Sequence, residues 1–304
     1  MISNRRVLFS GLSARLRVLV PVLMGQMARP IISIGDALAA SPGASGNVLA
    51  LVEIRSGRDN EVFAQEHRRR EMLQWVAGLE YTGEARRRLS VTMRMTANVA
   101  SSIRDVVAEN QTTSLVLEWP TVASRRRHGL TNLTRQLLPD GTTDVLLVRA
   151  NPSLQNEAIA PRSIVASIRG GPSARVVAAF AAAFADAFGS VLTLLHIQTD
   201  SQHPDRSRRE WQSFEQIVEE MQRPAAIVTV RRQVTPAVGI LEEGSRHDLV
   251  IVGSRLDLSR PNVLIGRDMQ RMVRHLDRPV VMIRPKQAAS SDADRPTKAN
   301  GHRT

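Results

Sequence analysis

Gly46-Asn-Val-Leu-Ala-Leu-Val-Glu-Ile54 and Gly189-Ser-Val-Leu-Thr-Leu-Leu-His-Ile197 carry one pattern: a glycine, a polar residue, then a run that is apolar but for Thr193 and closes on a polar residue and isoleucine. A short run apolar on both faces, entered through glycine, reads as a strand buried inside a parallel sheet. Outward from these two runs the match continues. Before them lie helix-periodic segments rich in Ala, Ile and Val, Ala28 to Ala40 and Ala174 to Phe188. Before those stand β-rich openings, Arg17-Val-Leu-Val-Pro-Val22 and Arg162-Ser-Ile-Val-Ala-Ser-Ile168. After them come polar helical segments with one tryptophan each, Glu61 to Tyr81 with Trp75 and Arg206 to Met221 with Trp211.

The remaining segments also pair. Strand Leu89 to Arg94 answers Ala226 to Arg232, and Asn98 to Ile103 answers Pro236 to Ile240 as a helix start. Asn there offers a side-chain acceptor and Pro a preset φ. Leu115 to Leu117 answers Leu249 to Val252, and Asp144 to Arg149 answers Pro279 to Arg284. Each half therefore reads as five strands alternating with four helices. Right-handed crossovers make that an α/β doubly wound sheet, Rossmann-like and mainly parallel, of five strands per half. The expected organisation is a flexible leader over 1–15, a first domain over 16–150, a linker over 151–161, a second domain over 162–286 and a disordered tail over 287–304. The leader and the tail follow from their polar, arginine-rich or Ser/Asp/Pro-rich composition.

Composition bounds the function. The 304 residues hold 41 Lys plus Arg against 29 Asp plus Glu, a formal charge of +12. There is no cysteine, which removes disulfides, thiolate metal sites and cysteine nucleophiles, and fits a cytoplasmic protein. The apolar stretch from Val176 to Ile197 is interrupted by Asp186 and Gly189, so it reads as a helix and a strand and no membrane span is expected. The histidines, His196 among them, show no metalloenzyme spacing, and neither a Gly-x-Ser-x-Gly elbow nor a P-loop occurs. No enzymatic activity and no metal are expected. His196 ends its strand run and is read as a satisfied histidine near the core edge or as a crevice residue. Arg68 to Arg70 and Arg86 to Arg88 are interleaved with glutamates and read as solvated faces. Arg125 to Arg127 follow the fourth strand and are an anion candidate. Aromatics make up 3% of the chain, too few for base stacking, so nucleic acid is set aside.

The element order, together with Gly253-Ser-Arg-Leu-Asp-Leu-Ser-Arg-Pro-Asn-Val-Leu-Ile-Gly-Arg267 and Ile168-Arg-Gly-Gly-Pro172, resembles the universal stress protein family in tandem. That family's nucleotide loop is Gly-x2-Gly-x9-Gly followed by Ser or Thr. Gly253 and Gly266 fall on its outer glycines, Leu256 stands at the middle glycine and Arg267 at the final hydroxyl. Where the family places an adenine-contacting Asp, this chain has Leu23 in the first half and Arg169 in the second. In the first half Glu118 and Thr131 replace the outer glycines, and a carboxylate there repels phosphate. The resemblance implies an adenine nucleotide such as ATP, or another phosphate ligand, in the second domain alone, on Arg169, Gly170, Gly253, Ser254, Arg255, Gly266 and Arg267. The other reading of the same loop is a structural turn without ligand. Arg-Val-Leu-Val-Pro-Val, Ile-Arg-Gly-Gly-Pro and Glu118-Trp119 are further similar to stress-protein-like cytosolic tails of amino-acid permeases and cation–proton antiporters. The expected function is thus a non-catalytic sensor or regulatory protein, or alternatively a regulatory partner or detached tail of such a transporter that binds no ATP. Expected partners are the other repeat, packed through Val145 to Val148 and Val280 to Ile283, a second copy of the chain, and a membrane transporter.

Overall fold

The computed structural model describes residues 16–23, 28–53, 67, 70–71, 73–75, 88–119, 136–137, 141–151, 157–170, 172–199, 204–221, 226–254 and 267–286. The first half contains β1 (Arg17–Leu23), α1 (Ala28–Ala39), β2 (Ser45–Glu53), β3 (Leu89–Thr96), α2 (Val99–Glu109), β4 (Ser114–Glu118) and β5 (Asp144–Arg149). The second contains β6 (Ser163–Ser167), α3 (Pro172–Phe188), β7 (Val191–Thr199), α4 (Pro204–Met221), β8 (Ile227–Gln233), α5 (Pro236–Gly244), β9 (Leu249–Gly253), α6 (Arg267–His275) and β10 (Val280–Arg284). The strands expected from the repeat are all present, with ends shifted by a residue or two.

The sheet order is β3-β2-β1-β4-β5-β10-β9-β6-β7-β8. Within each half every neighbouring pair is parallel, so each half is a five-stranded doubly wound sheet as expected. The halves do not merely pack. β5 and β10 pair antiparallel, with Val281 opposite Val148 and Ile283 opposite Leu146, and fuse both into one ten-stranded sheet. Every residue of β5 and β10 is buried, because helices cover both faces of the seam. A fully buried Val, Leu or Ile contributes about 1.5–3 kcal/mol, so this two-strand contact is a large share of what joins the halves.

Helices lie in two layers. One carries α1, α3 and α4 over Val20, Val116, Val148 and Val281; the other carries α2, α5 and α6 over Leu19, Leu117, Leu147 and Met282. α1 sits close on the sheet because Gly35 has no side chain: a Cβ there would lie 2.3 Å from Val20 Cγ2. The Asn98 cap and the helix start at Pro236 read from the sequence both form. Asn98 accepts from the Ser101 N–H at 3.1 Å. In α5 the cap is Thr235, accepting from Val238, with Pro236 in the first turn. The crossing chain from β5 to β6 is tied to α1, where Ile159 donates its N–H to Ser33 Oγ at 2.9 Å. At the seam Arg149 donates to the Leu276 carbonyl at 2.7 Å and to the Arg278 carbonyl at 3.4 Å, closing the end of α6.

Candidate functional site: the carboxyl ends of β6 and β9

In an open α/β sheet ligands bind outside the carboxyl ends of the strands, where the strand order reverses. That place lies between β1 and β4 in the first half and between β6 and β9 in the second. Ser167 is registered with Val252, so the chain leaving β6 through Arg169-Gly170 and the chain leaving β9 through Gly253-Ser254 emerge side by side. Four of the residues expected to form the site are thus brought to one edge. Arg267 opens α6 at the position read from the sequence. Arg255 and Gly266 lie outside the described residues, as do Leu256, Thr131, the Arg125 to Arg127 cluster, Arg68, Arg69, Arg86 and Arg87, the leader 1–15 and the tail 287–304. Arg70 is exposed on a helical stretch, and Arg88 faces Asp36 at 3.3 Å.

The loop after β6 is held firmly. Gly170 has φ +94°, and a Cβ on it would lie 2.9 Å from the backbone oxygen of Glu210 in α4. Both the backbone conformation and the contact require glycine. Arg169 is half-exposed, with Nε 3.7 Å from Glu210 Oε2, so one carboxylate of α4 faces the guanidinium offered to a ligand. Beneath the loop His196 sits inside β7, 2% exposed, rather than at its end. Its Nδ1 lies 3.1 Å from the Ile168 carbonyl, which can only accept, so that nitrogen bears the proton. The ring packs on Trp211 and Phe214 with centroids 5.4 and 4.9 Å away. Burial holds its pKa below the ordinary imidazole value, and Arg169 adds to this; the Ile168 hydrogen bond and Glu210 oppose it. His196 is therefore a neutral support of the loop.

On the β9 side, a Cβ on Gly253 would lie 3.0 Å from Val177 Cγ2, so the glycine lets α3 pack against the strand end. Ser254 donates its N–H to the Ile283 carbonyl at 2.8 Å and is fixed as it leaves the sheet. In the first half Leu23 is buried at the end of β1 and Glu118 ends β4. Burial pushes the Glu118 carboxyl up to about 7. That strand end presents a carboxyl group where the second presents glycine. The described residues of the β6–β9 crevice offer backbone, a hydroxyl and a guanidinium, which suits recognition of an anion. Among the described residues no cluster of three His, Asp or Glu is placed to hold a metal ion, and no helix is long and apolar enough to cross a membrane.

Sequence reasoning missed Glu210 and the ring cluster around His196. The signal was present: Glu210, Trp211 and Phe214 stand at helical spacing in α4, the helix that follows the His196 strand.

Residues 161–284 match the universal stress protein family. No curated protein matches the sequence. Among solved structures the chain is similar to a universal stress protein from Archaeoglobus fulgidus, with TM-score 0.62 and 12% identity over 89% of this chain and 97% of that one. It is also similar to the cytoplasmic domain of a prokaryotic cation chloride cotransporter, with TM-score 0.57 and 13% identity over 90% and 96%. A functionally unknown protein from Pseudomonas aeruginosa gives TM-score 0.56 and 14% identity over 91% and 95%. At these identities the likeness establishes the fold.

Proposed function

From the match of residues 161–284 to the universal stress protein family we propose that the chain is a non-catalytic regulatory protein whose second half senses a nucleotide or other phosphate ligand. The observation that carries the reading is the convergence of Arg169-Gly170 and Gly253-Ser254 at the switch point between β6 and β9. Both strand ends present backbone at the crevice, and Arg169 supplies charge. α6 begins at Arg267, and the first N–H groups of a helix have no partner within it, which favours an anion near that end. The first half has Glu118 at the matching place and takes no phosphate in this reading. A cytoplasmic place of action belongs to the same proposal. The test is a thermal-shift screen with ATP, AMP and a cyclic dinucleotide on the wild type and on Gly266→Glu. A rise abolished by the substitution supports the reading; no rise with any ligand at millimolar concentration removes it.

A second reading is favoured by the likeness to the cotransporter's cytoplasmic domain over nearly its whole length. In it the chain regulates a membrane transporter, with or without a ligand. Affinity purification from native membranes tests it, and recovery of no transport protein counts against it.

A further inference from the structure

At the opposite end of the first half, the amino ends of β4 and β5 border a cavity of about 300 Å³. Its polar wall holds Arg104, Thr112, Thr142, Thr143 and Arg284. Val107, Leu115, Leu137 and Val145 supply an apolar floor. No carboxylate is among the described residues that line it. Arg284 belongs to the second half. It ends β10, opposite Val145, and is only 6% exposed, so antiparallel pairing of the halves carries a buried guanidinium into a cavity of the first. Arg104 and Arg284 also have partners within the protein. A guanidinium carries five donors in a fixed fork and can serve the protein and a ligand together.

The second half shows what the same place looks like when closed. Counted from the caps Asn98 and Thr235, Arg104 corresponds to Leu241, which packs against the core, and Val107 corresponds to Gly244. Leu276 fills that space, within 3.2 Å of a Cβ placed on Gly244. Arg149, the β5 counterpart of Arg284, is bonded to the Leu276 carbonyl. One copy is thus filled by aliphatic packing, while the other is open, cationic and lined with hydroxyls.

We propose that this cavity binds a small organic anion, its phosphate or carboxylate on Arg104 and Arg284 and its apolar body over Val107 and Leu137. Charge-assisted bonds to partly desolvated guanidinium groups are the strong kind, and the hydroxyls complete the anion's shell. The site is independent of the β6–β9 crevice. The test is thermal shift on the full chain with phenyl phosphate and with benzoate. Near tenfold excess over Kd, a Tm rise of about 3 °C is expected in the wild type and in Gly253→Glu. Arg104→Glu, on the exposed face of α2, should abolish it. Ala108→Trp, also exposed at the rim, should block the cavity without removing charge and gives the same loss if Arg104→Glu folds poorly. A larger effect of phenyl phosphate assigns phosphate, and a larger effect of benzoate assigns carboxylate. No shift with either probe in the wild type, or a shift that survives both substitutions, overturns the proposal.

Discussion

Glu118 and Gly253 occupy the same place in two copies of one fold. Glu118 is registered with Val148 and Gly253 with Ile283, and the residue after each, Trp119 or Ser254, donates its N–H to that partner's carbonyl at 2.7 or 2.8 Å. The backbone has been kept while the chemistry at the strand end has changed from open backbone to a carboxyl group. The asymmetry between the halves rests on this substitution.

Glu118 makes stability depend on pH. Its folded pKa, about 7, lies above the ordinary 4.5, so the native state keeps a proton that the unfolded chain releases. The contribution is fully present below 4.5, is lost as pH rises through the interval, and changes no further above about 7. With allowance for partial exposure the loss is about 2 kcal/mol. Urea midpoints at pH 5 and pH 8 should differ more in the wild type than in Glu118→Gln. Equal differences would show that Glu118 titrates normally.

Arg149 closes the end of α6 through the seam. Arg149→Leu should cost about 2–4 kcal/mol, because the Leu276 and Arg278 carbonyls lose a charged donor in a buried place. Lysine should restore little, since one ammonium lacks the fork that reaches both oxygens. Chemical denaturation of the three proteins measures it.

The seam itself should make the chain unfold as one body. Val148→Lys places a charge opposite Val281 where both residues are at most 1% exposed. A loss of at least about 3 kcal/mol is expected. Tryptophan fluorescence and far-ultraviolet circular dichroism should report the same midpoint in the wild type. Separate transitions for the two halves would contradict the fused sheet.

Gly170→Ala tests the rigidity of the ligand-side loop. The positive φ and the 2.9 Å approach to the Glu210 backbone oxygen together predict a cost of about 1–3 kcal/mol. Gly189→Ala is the control, because φ is positive there but nothing lies within 4 Å of the added carbon. It should cost less.

The repeat made the succession of strands and helices legible in the sequence, since buried parallel strands are apolar on both faces and α1, α3 and the β2 and β7 runs share one rhythm. The family resemblance placed the contact between the halves near Val145 to Val148 and Val280 to Ile283. What it left open was whether the last strands pair by hydrogen bonds or only pack, because apolar strands satisfy either. The site was half legible. Gly253 and Gly170 are visible as glycines after strands, but the Glu210 contact with Arg169 depends on how α4 lies over β7. His196 looked like a strand end because polar residues follow it, whereas β7 runs on to Thr199 with Gln198 and Thr199 only partly buried. The Arg104–Arg284 cavity was invisible because its two arginines are far apart in sequence and meet only through the antiparallel pairing.

Calorimetric titration of ATP, AMP and inorganic phosphate into the wild type, Gly253→Glu and Glu118→Gly tests the central claim, that the β6–β9 crevice is where the second half recognises phosphate. One phosphate-bearing ligand per chain is expected at the crevice, with that binding lost in Gly253→Glu and retained in Glu118→Gly. Absence of heat with all three ligands at millimolar concentration, or binding indifferent to Gly253→Glu, would contradict it.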